Sequence, residues 1–125
     1  MRLLLDTHVF LWVVADDRRL TKEARKLILD ADDVFVSSAS IWEASIKAGL
    51  GKLDVDVNAL VEEIGRGGFS ELPVRAVHGA FVRDLPDIHR DPFDRMLVAQ
   101  AMYEPLRLVT ADGHLAKYTD LVVEI

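Results

Sequence analysis

Apolar and polar positions fall into short blocks along the chain, and each block predicts an element. Leu3-Leu4-Leu5, set between Arg2 and Asp6, has the continuous apolar character of a strand covered on both faces. Thr7 to Ala15 is apolar almost all round (Val9, Phe10, Leu11, Trp12, Val13, Val14), which predicts a deeply buried helix or one that also meets a partner. After the polar break at Asp16-Asp17-Arg18-Arg19, Thr21 opens an amphipathic helix through Leu29. Ala24, Leu27 and Ile28 form one face and Lys22, Arg25 and Lys26 the other. Val34-Phe35-Val36 predicts the second strand, and Ser37 to Ser40 offers caps for a helix over Ile41 to Ala48 that Gly49 closes. Asp56 caps a helix over Val57 to Ile64, Gly65 to Gly68 form a turn, and Glu71 to Val74 is a short strand. Ala76 to Leu85 is a helix stopped by Pro86. Asp91-Pro92 starts another, with Asp as cap and Pro in the first turn, running to about Tyr103. Leu106 to Thr110 is a strand, Asp112 to Tyr118 a short helix, and Leu121 to Ile125 a last strand.

Strands that alternate with helices imply a parallel sheet covered on both sides. The expected fold is α/β, a three-layer α/β/α domain with a central, mostly parallel sheet, and residues 1–125 are expected to form one domain. In such sheets ligands bind beyond the carboxyl ends of the strands, near the switch in strand order.

Fifteen basic and 21 acidic residues give a net charge of -6, which argues against non-specific attraction to nucleic acid unless a cation reverses the sign of an acidic pocket. There is no cysteine, so neither a disulfide framework nor a zinc-thiolate site is available. The apolar run from Leu3 to Ala15 is interrupted by Asp6 and His8 and is too short to span a bilayer. A cytoplasmic protein without a membrane segment is expected. Gly49-Leu50-Gly51-Lys52 is only part of a P-loop, because Ile46 and Leu53 stand where a glycine and a hydroxyl residue are needed.

Four carboxylates carry the chemistry. Each alone has a structural explanation. Asp6 could cap the helix after its strand, and Glu43 stands three residues after Ser40 at capping-box spacing. Asp94 follows the cap Asp91 and complements a helix N-terminus, while Asp112 could open a turn. Jointly they read differently. Asp6 and Asp112 come directly after strands, Glu43 lies within two helical turns of a strand, and Asp94 is in the first turn of the helix before the Leu106 strand. All four therefore fall on the ligand-binding side of the sheet. Four gathered carboxylates repel unless a cation compensates, and Mg²⁺ or Mn²⁺ suits oxygen donors.

Leu-Leu-Leu-Asp6-Thr7-His8, Ser40-Ile41-Trp42-Glu43 with Lys47, Asp91-Pro92-Phe93-Asp94-Arg95 and Leu108-Val109-Thr110-Ala111-Asp112 occur in that order over the whole chain. Together they resemble the PIN-domain nucleases, specifically the VapC-type toxins of bacterial toxin–antitoxin pairs. The resemblance implies a PIN-like fold and metal-dependent endoribonuclease activity, with Asp6, Glu43, Asp94 and Asp112 as metal-binding catalytic acids. One or two Mg²⁺ or Mn²⁺ ions would activate water and stabilise charge on the phosphate. Thr7, Thr110 and Asp91 are supporting candidates, although strand-end threonines often bond only to backbone. The same resemblance implies an RNA substrate, an antitoxin protein and a homodimer.

A nuclease needs phosphate contacts. Arg95, Lys47, Lys52 and Arg90 lie near the motif segments, Arg95 foremost, against the plain reading of solvated surface charge. The four histidines show no paired metal spacing, and His8 and His89 read as packing or surface residues. Phe10, Trp12 and Val13 are either core, the favoured reading, or the floor of an antitoxin groove. Two rivals remain at this level: a non-catalytic, magnesium-binding receiver-like signalling module, and a PIN domain that serves RNA processing rather than toxicity. The receiver pattern needs an acidic pair after the first strand and a lysine after the last, and both are missing.

Overall fold

The apolar runs become the strands of one parallel sheet in the computed structural model, which describes residues 1–125. The strands are β1 (Arg2–Leu5), β2 (Asp33–Ser37), β3 (Ser70–Leu72), β4 (Arg107–Thr110) and β5 (Val122–Glu124), standing in the order β3-β2-β1-β4-β5. This order also separates the chain from a receiver-type module, in which the strands run 2-1-3-4-5. The helices are α1 (Thr7–Ala15), α2 (Lys22–Asp30), α3 (Ser38–Gly49), α4 (Val57–Arg66), α5 (Ala76–Val82) and α6 (Pro92–Tyr103), with a 3₁₀ turn at Gly113–Lys117.

Three consecutive leucines are needed because β1 is the middle strand and successive side chains point to opposite faces. Leu3 and Leu5 join Val9, Phe10, Ile28 and Val36 in the core under α1 to α4. Leu4 enters the opposite core with Leu97, Leu108 and Leu115, under α5, α6 and the 3₁₀ turn. Each of these leucines is fully buried, which stabilises the fold by about 1.5–3 kcal/mol per side chain.

Several boundaries differ from the sequence expectation, each for a local reason. Helix α3 starts three residues earlier because Ser37, not Ser40, is its cap, accepting from the Ala39 N–H at 3.0 Å. Strand β3 ends at Leu72 because Pro73 has no N–H to extend the ladder. After Val82 the chain tightens into i to i−3 bonds from Arg83, Asp84 and Leu85, so α5 is shorter than expected. Asp112 caps a 3₁₀ turn rather than an α-helix. The buried His78 is a structural residue: Nδ1 accepts from the Arg75 N–H at 2.9 Å and Nε2 faces Glu104 Oε2 at 2.5 Å.

The chain leaves β1 toward β2 and β3, then crosses back through α5 and α6 to β4 on the other side of β1. The carboxyl ends of β1 and β4 therefore flank the switch in strand order, where an open α/β sheet leaves a crevice.

Candidate active site

Asp6 follows β1 at this switch. Its backbone N–H bonds to the Val109 carbonyl at 2.9 Å, fixing it beside the end of β4. Its backbone takes the capping position of α1, yet its side chain caps nothing. Instead Oδ2 accepts the Thr110 hydroxyl at 2.6 Å, and Thr110 Oγ1 in turn accepts the Asp112 N–H at 3.0 Å. Burial pushes the Asp6 carboxyl up, the Thr110 bond offsets this, and the nearby Glu43 charge adds to it. The neighbouring Thr7 donates its hydroxyl to Ser40 at 2.8 Å, tying the start of α1 to the first turn of α3.

Glu43 is buried on α3. Because that helix begins at Ser38, Glu43 is no partner in a capping box. Its Oε2 accepts from Lys47 at 2.7 Å, one turn on, whereas Oε1 is buried with no hydrogen-bond partner. The bond to Glu43 raises the Lys47 pKa, and the charges of Asp91 and Asp94 add to the effect.

Asp91 is the cap of α6, its Oδ1 accepting from the N–H groups of Phe93 and Asp94 at 2.8 and 3.1 Å. Asp94 thereby projects from the first turn, and its Oδ2 lies 2.9 Å from His89 Nε2. Burial, with the charges of Asp6, Asp91 and Glu43, pushes Asp94 up to about 6. Asp112 completes the group from the end of β4. Burial acts upward on it, yet the backbone and ring of His114 hold its carboxyl below the usual range.

The electrostatic coupling brings Asp6, Glu43, Asp91 and Asp94 into one neighbourhood, and Asp112 shares donor atoms within 4.8 Å of Asp94 and His89. A divalent cation suits this donor set on one observation above all. Glu43 Oε1 is a buried carboxylate oxygen with nothing to bind, a costly arrangement for a charged group.

His89 was legible only as a packing or surface residue. A lone histidine in the irregular segment between α5 and α6 gives no periodic signal, and only the fold brings it onto Asp94. Arg95 lies beside the site but is committed elsewhere. Its guanidinium donates to the carbonyls of Val82, Pro86 and His89 and to the Tyr118 hydroxyl at 3.0–3.4 Å, so it clamps the segment between α5 and α6. Lys52, Arg90 and His8 are exposed. Phe10 is 1% exposed and belongs to the core, which removes it from any groove. Trp12 is partly buried with the Arg19 guanidinium 5.1 Å over its ring, and Val13 lines a cleft of about 360 Å³ with Val14, Leu20 and Leu29.

A parallel α/β domain with acids from four separate segments at the switch of its sheet has the architecture of a cation-dependent phosphodiester enzyme. The chain belongs to the PIN-domain family, whose model matches residues 3–121. It is 30% identical over 121 residues to Ribonuclease VapC22 of Mycobacterium tuberculosis, covering 92% of this chain and 90% of that protein. Among solved structures it resembles VapBC2 of Rickettsia felis bound to a promoter DNA fragment (TM-score 0.73, 15% identity, 99% and 98% of the two chains). It also resembles FitAcB of Neisseria gonorrhoeae (TM-score 0.67, 18% identity, 98% and 96%). At these identities the structural likeness establishes the fold.

Proposed function

We propose that residues 1–125 form a single nuclease domain, a Mg²⁺- or Mn²⁺-dependent endoribonuclease that acts as the toxin of a toxin–antitoxin pair. The observation that carries the reading is the convergence of Asp6, Glu43, Asp94 and Asp112 on one edge of the sheet, with Glu43 Oε1 left bare. Family membership and the relative named as a ribonuclease support RNA as the substrate. The fold is also shared with a toxin–antitoxin complex from Klebsiella pneumoniae (TM-score 0.66, 17% identity), which supports an antitoxin partner.

In this reading the four acids hold one or two divalent ions, which supply Lewis-acid activation of water and stabilisation of phosphate charge when bound. The chain's own residues prepare that site. Thr110 fixes the orientation of Asp6, Lys47 holds one oxygen of Glu43, and the Asp91 cap sets the direction of Asp94. Lys52 and Arg90 are the basic groups left to meet RNA phosphates, because Arg95 is engaged with the backbone and Lys47 with Glu43. The cleft containing Val13 and Val14, beside the 82% exposed Leu29, suits an apolar antitoxin segment. No helix is long and apolar enough to cross a membrane, and we place the activity in the cytoplasm.

The test is RNA cleavage by purified protein with Mn²⁺, beside the Asp6→Asn and Asp94→Asn variants. Loss of several kcal/mol of charge stabilisation predicts at least about a hundredfold lower rate in either variant, with the melting transition intact. Wild-type protein that leaves RNA uncut with Mn²⁺ present overturns the nuclease reading. Cleavage without growth arrest on expression replaces the toxin by an RNA-processing enzyme.

A further inference from the structure

The acid cluster contains a nitrogen. His89 Nε2 lies 2.9 Å from Asp94 Oδ2, and donor atoms of His89, Asp94 and Asp112 all lie within 4.8 Å of one another. We propose that His89 is itself a ligand of the ion held by Asp94 and Asp112, and that its nitrogen tilts the site from Mg²⁺ toward a transition ion such as Mn²⁺ or Co²⁺. The inference rests on the metal-dependent reading above and adds to it a ligand and a preference.

The spacing supports it. An ion about 2.1 Å from each donor places neighbouring donors about 3 Å apart and opposite ones about 4.2 Å apart. The separation of His89 and Asp94 matches the first figure, and the donor atoms of all three residues lie within 4.8 Å of one another, a span one ion can gather with small adjustments. In the absence of an ion the same separation is a hydrogen bond from the ring to the carboxylate. With the proton of the neutral ring on Nδ1, the Nε2 lone pair faces the same point.

The backbone that carries the ring is also held in place. The His89 N–H donates to the Tyr118 hydroxyl at 2.7 Å, and that hydroxyl donates back to the His89 carbonyl at 3.2 Å. Arg95 reaches the same carbonyl at 3.4 Å. A surface histidine packed by chance has no need of such fastening. A separate observation points to a cation in this neighbourhood: the Glu43 side chain is only 5% exposed, its Oε1 has no partner, and its charge acts on Asp94.

The preference follows from donor chemistry. A purely carboxylate and water shell suits Mg²⁺, whereas imidazole strengthens binding along the series from Mn²⁺ through Co²⁺.

The competing role is a hydrogen bond that merely orients Asp94, and two substitutions separate the two. Co²⁺, Mn²⁺ and Mg²⁺ are titrated calorimetrically into wild type, His89→Ala, His89→Gln and Asp94→Asn, with thermal melts to verify folding and the visible Co²⁺ spectrum recorded. Glutamine can still donate to Asp94 but offers no imidazole nitrogen. The expected result is at least about tenfold weaker Co²⁺ binding in both His89 variants, under about threefold change for Mg²⁺, and an altered Co²⁺ spectrum in His89→Gln. Restored Co²⁺ affinity in His89→Gln, or equal weakening of Co²⁺ and Mg²⁺, overturns the ligand role. If wild type binds these ions and Asp94→Asn does not, while His89→Ala behaves as wild type, this inference falls and the metal-dependent reading stands. If wild type binds none of them, both fall.

Discussion

Lys47 Nζ sits 2.7 Å from Glu43 Oε2, while the other oxygen of the same buried carboxylate faces no partner at all. Lys47 thus neutralises the acid by one edge and leaves the other unpaired. Removing it exposes the cost of the burial. Lys47→Ala is expected to destabilise the metal-free protein by about 1–3 kcal/mol in urea denaturation, the lower part of the range reflecting the partly exposed lysine. Mn²⁺ should recover part of the loss. Unchanged stability without metal would mean that Glu43 is less buried than its surroundings indicate.

The burial of Asp94, reinforced by the charges of the neighbouring acids, gives the stability a pH dependence. Asp94 is pushed up to about 6 in the folded chain, against 3.8 as its ordinary value. Between those values the folded state keeps a proton that the unfolded state has lost, so this group's contribution is present below about pH 4 and is lost as pH rises through about 6. A metal competes for the same carboxylate. The rise in melting temperature caused by Mn²⁺ should therefore be larger at pH 7.5 than at pH 5, as differential scanning fluorimetry can read. An equal rise at both values would contradict the coupling.

Arg95 makes a prediction that separates scaffold from substrate contact. Its guanidinium reaches three carbonyls and a hydroxyl, so Arg95→Ala should cost about 1–3 kcal/mol of folding stability. Arg95→Lys should not restore it, because an ammonium cannot span the same fork of acceptors. A residue used for RNA phosphate alone would leave the urea midpoint untouched, raise KM and weaken the salt dependence of binding.

The outer face of α3 exposes Trp42 and Ile46, and the C-cap Leu50 continues the stripe, with Trp42 at 64% and Leu50 at 65% exposure. Such an apolar stripe marks an interaction surface, and self-association is the expected use. Wild type should sediment as a dimer and Ile46→Asp as a monomer, while the melting temperature changes little. A monomeric wild type at tens of micromolar would overturn the homodimer that the family resemblance implies.

The sheet was readable because β1 is buried on both sides and must be apolar without interruption, and because Asp91-Pro92 leaves little choice about where α6 begins. Asp6 was readable by position alone, as a carboxylate after a central strand. Glu43 was harder, since a serine three residues earlier imitates a capping box until the true cap, Ser37, is seen. Arg95 and His89 were beyond reach for one shared reason. Their partners (Val82, Pro86, Tyr118 for one, Asp94 for the other) are set by how the segment between α5 and α6 folds back, and irregular backbone carries no periodicity from which to infer it.

The hydrogen bond between Thr110 and Asp6 closes a loop of 104 residues. During translation the first carboxylate therefore leaves the ribosome with its setting still unmade. A nascent chain halted before Leu106 has Asp6, Glu43 and Asp94 but no β4, so β1 stays open on one flank and nothing aligns its terminal acid. On the proposed role of Asp6, cutting power is expected late, when the penultimate strand docks. Chains cut short of that strand are therefore expected to be inert, not weakened nucleases.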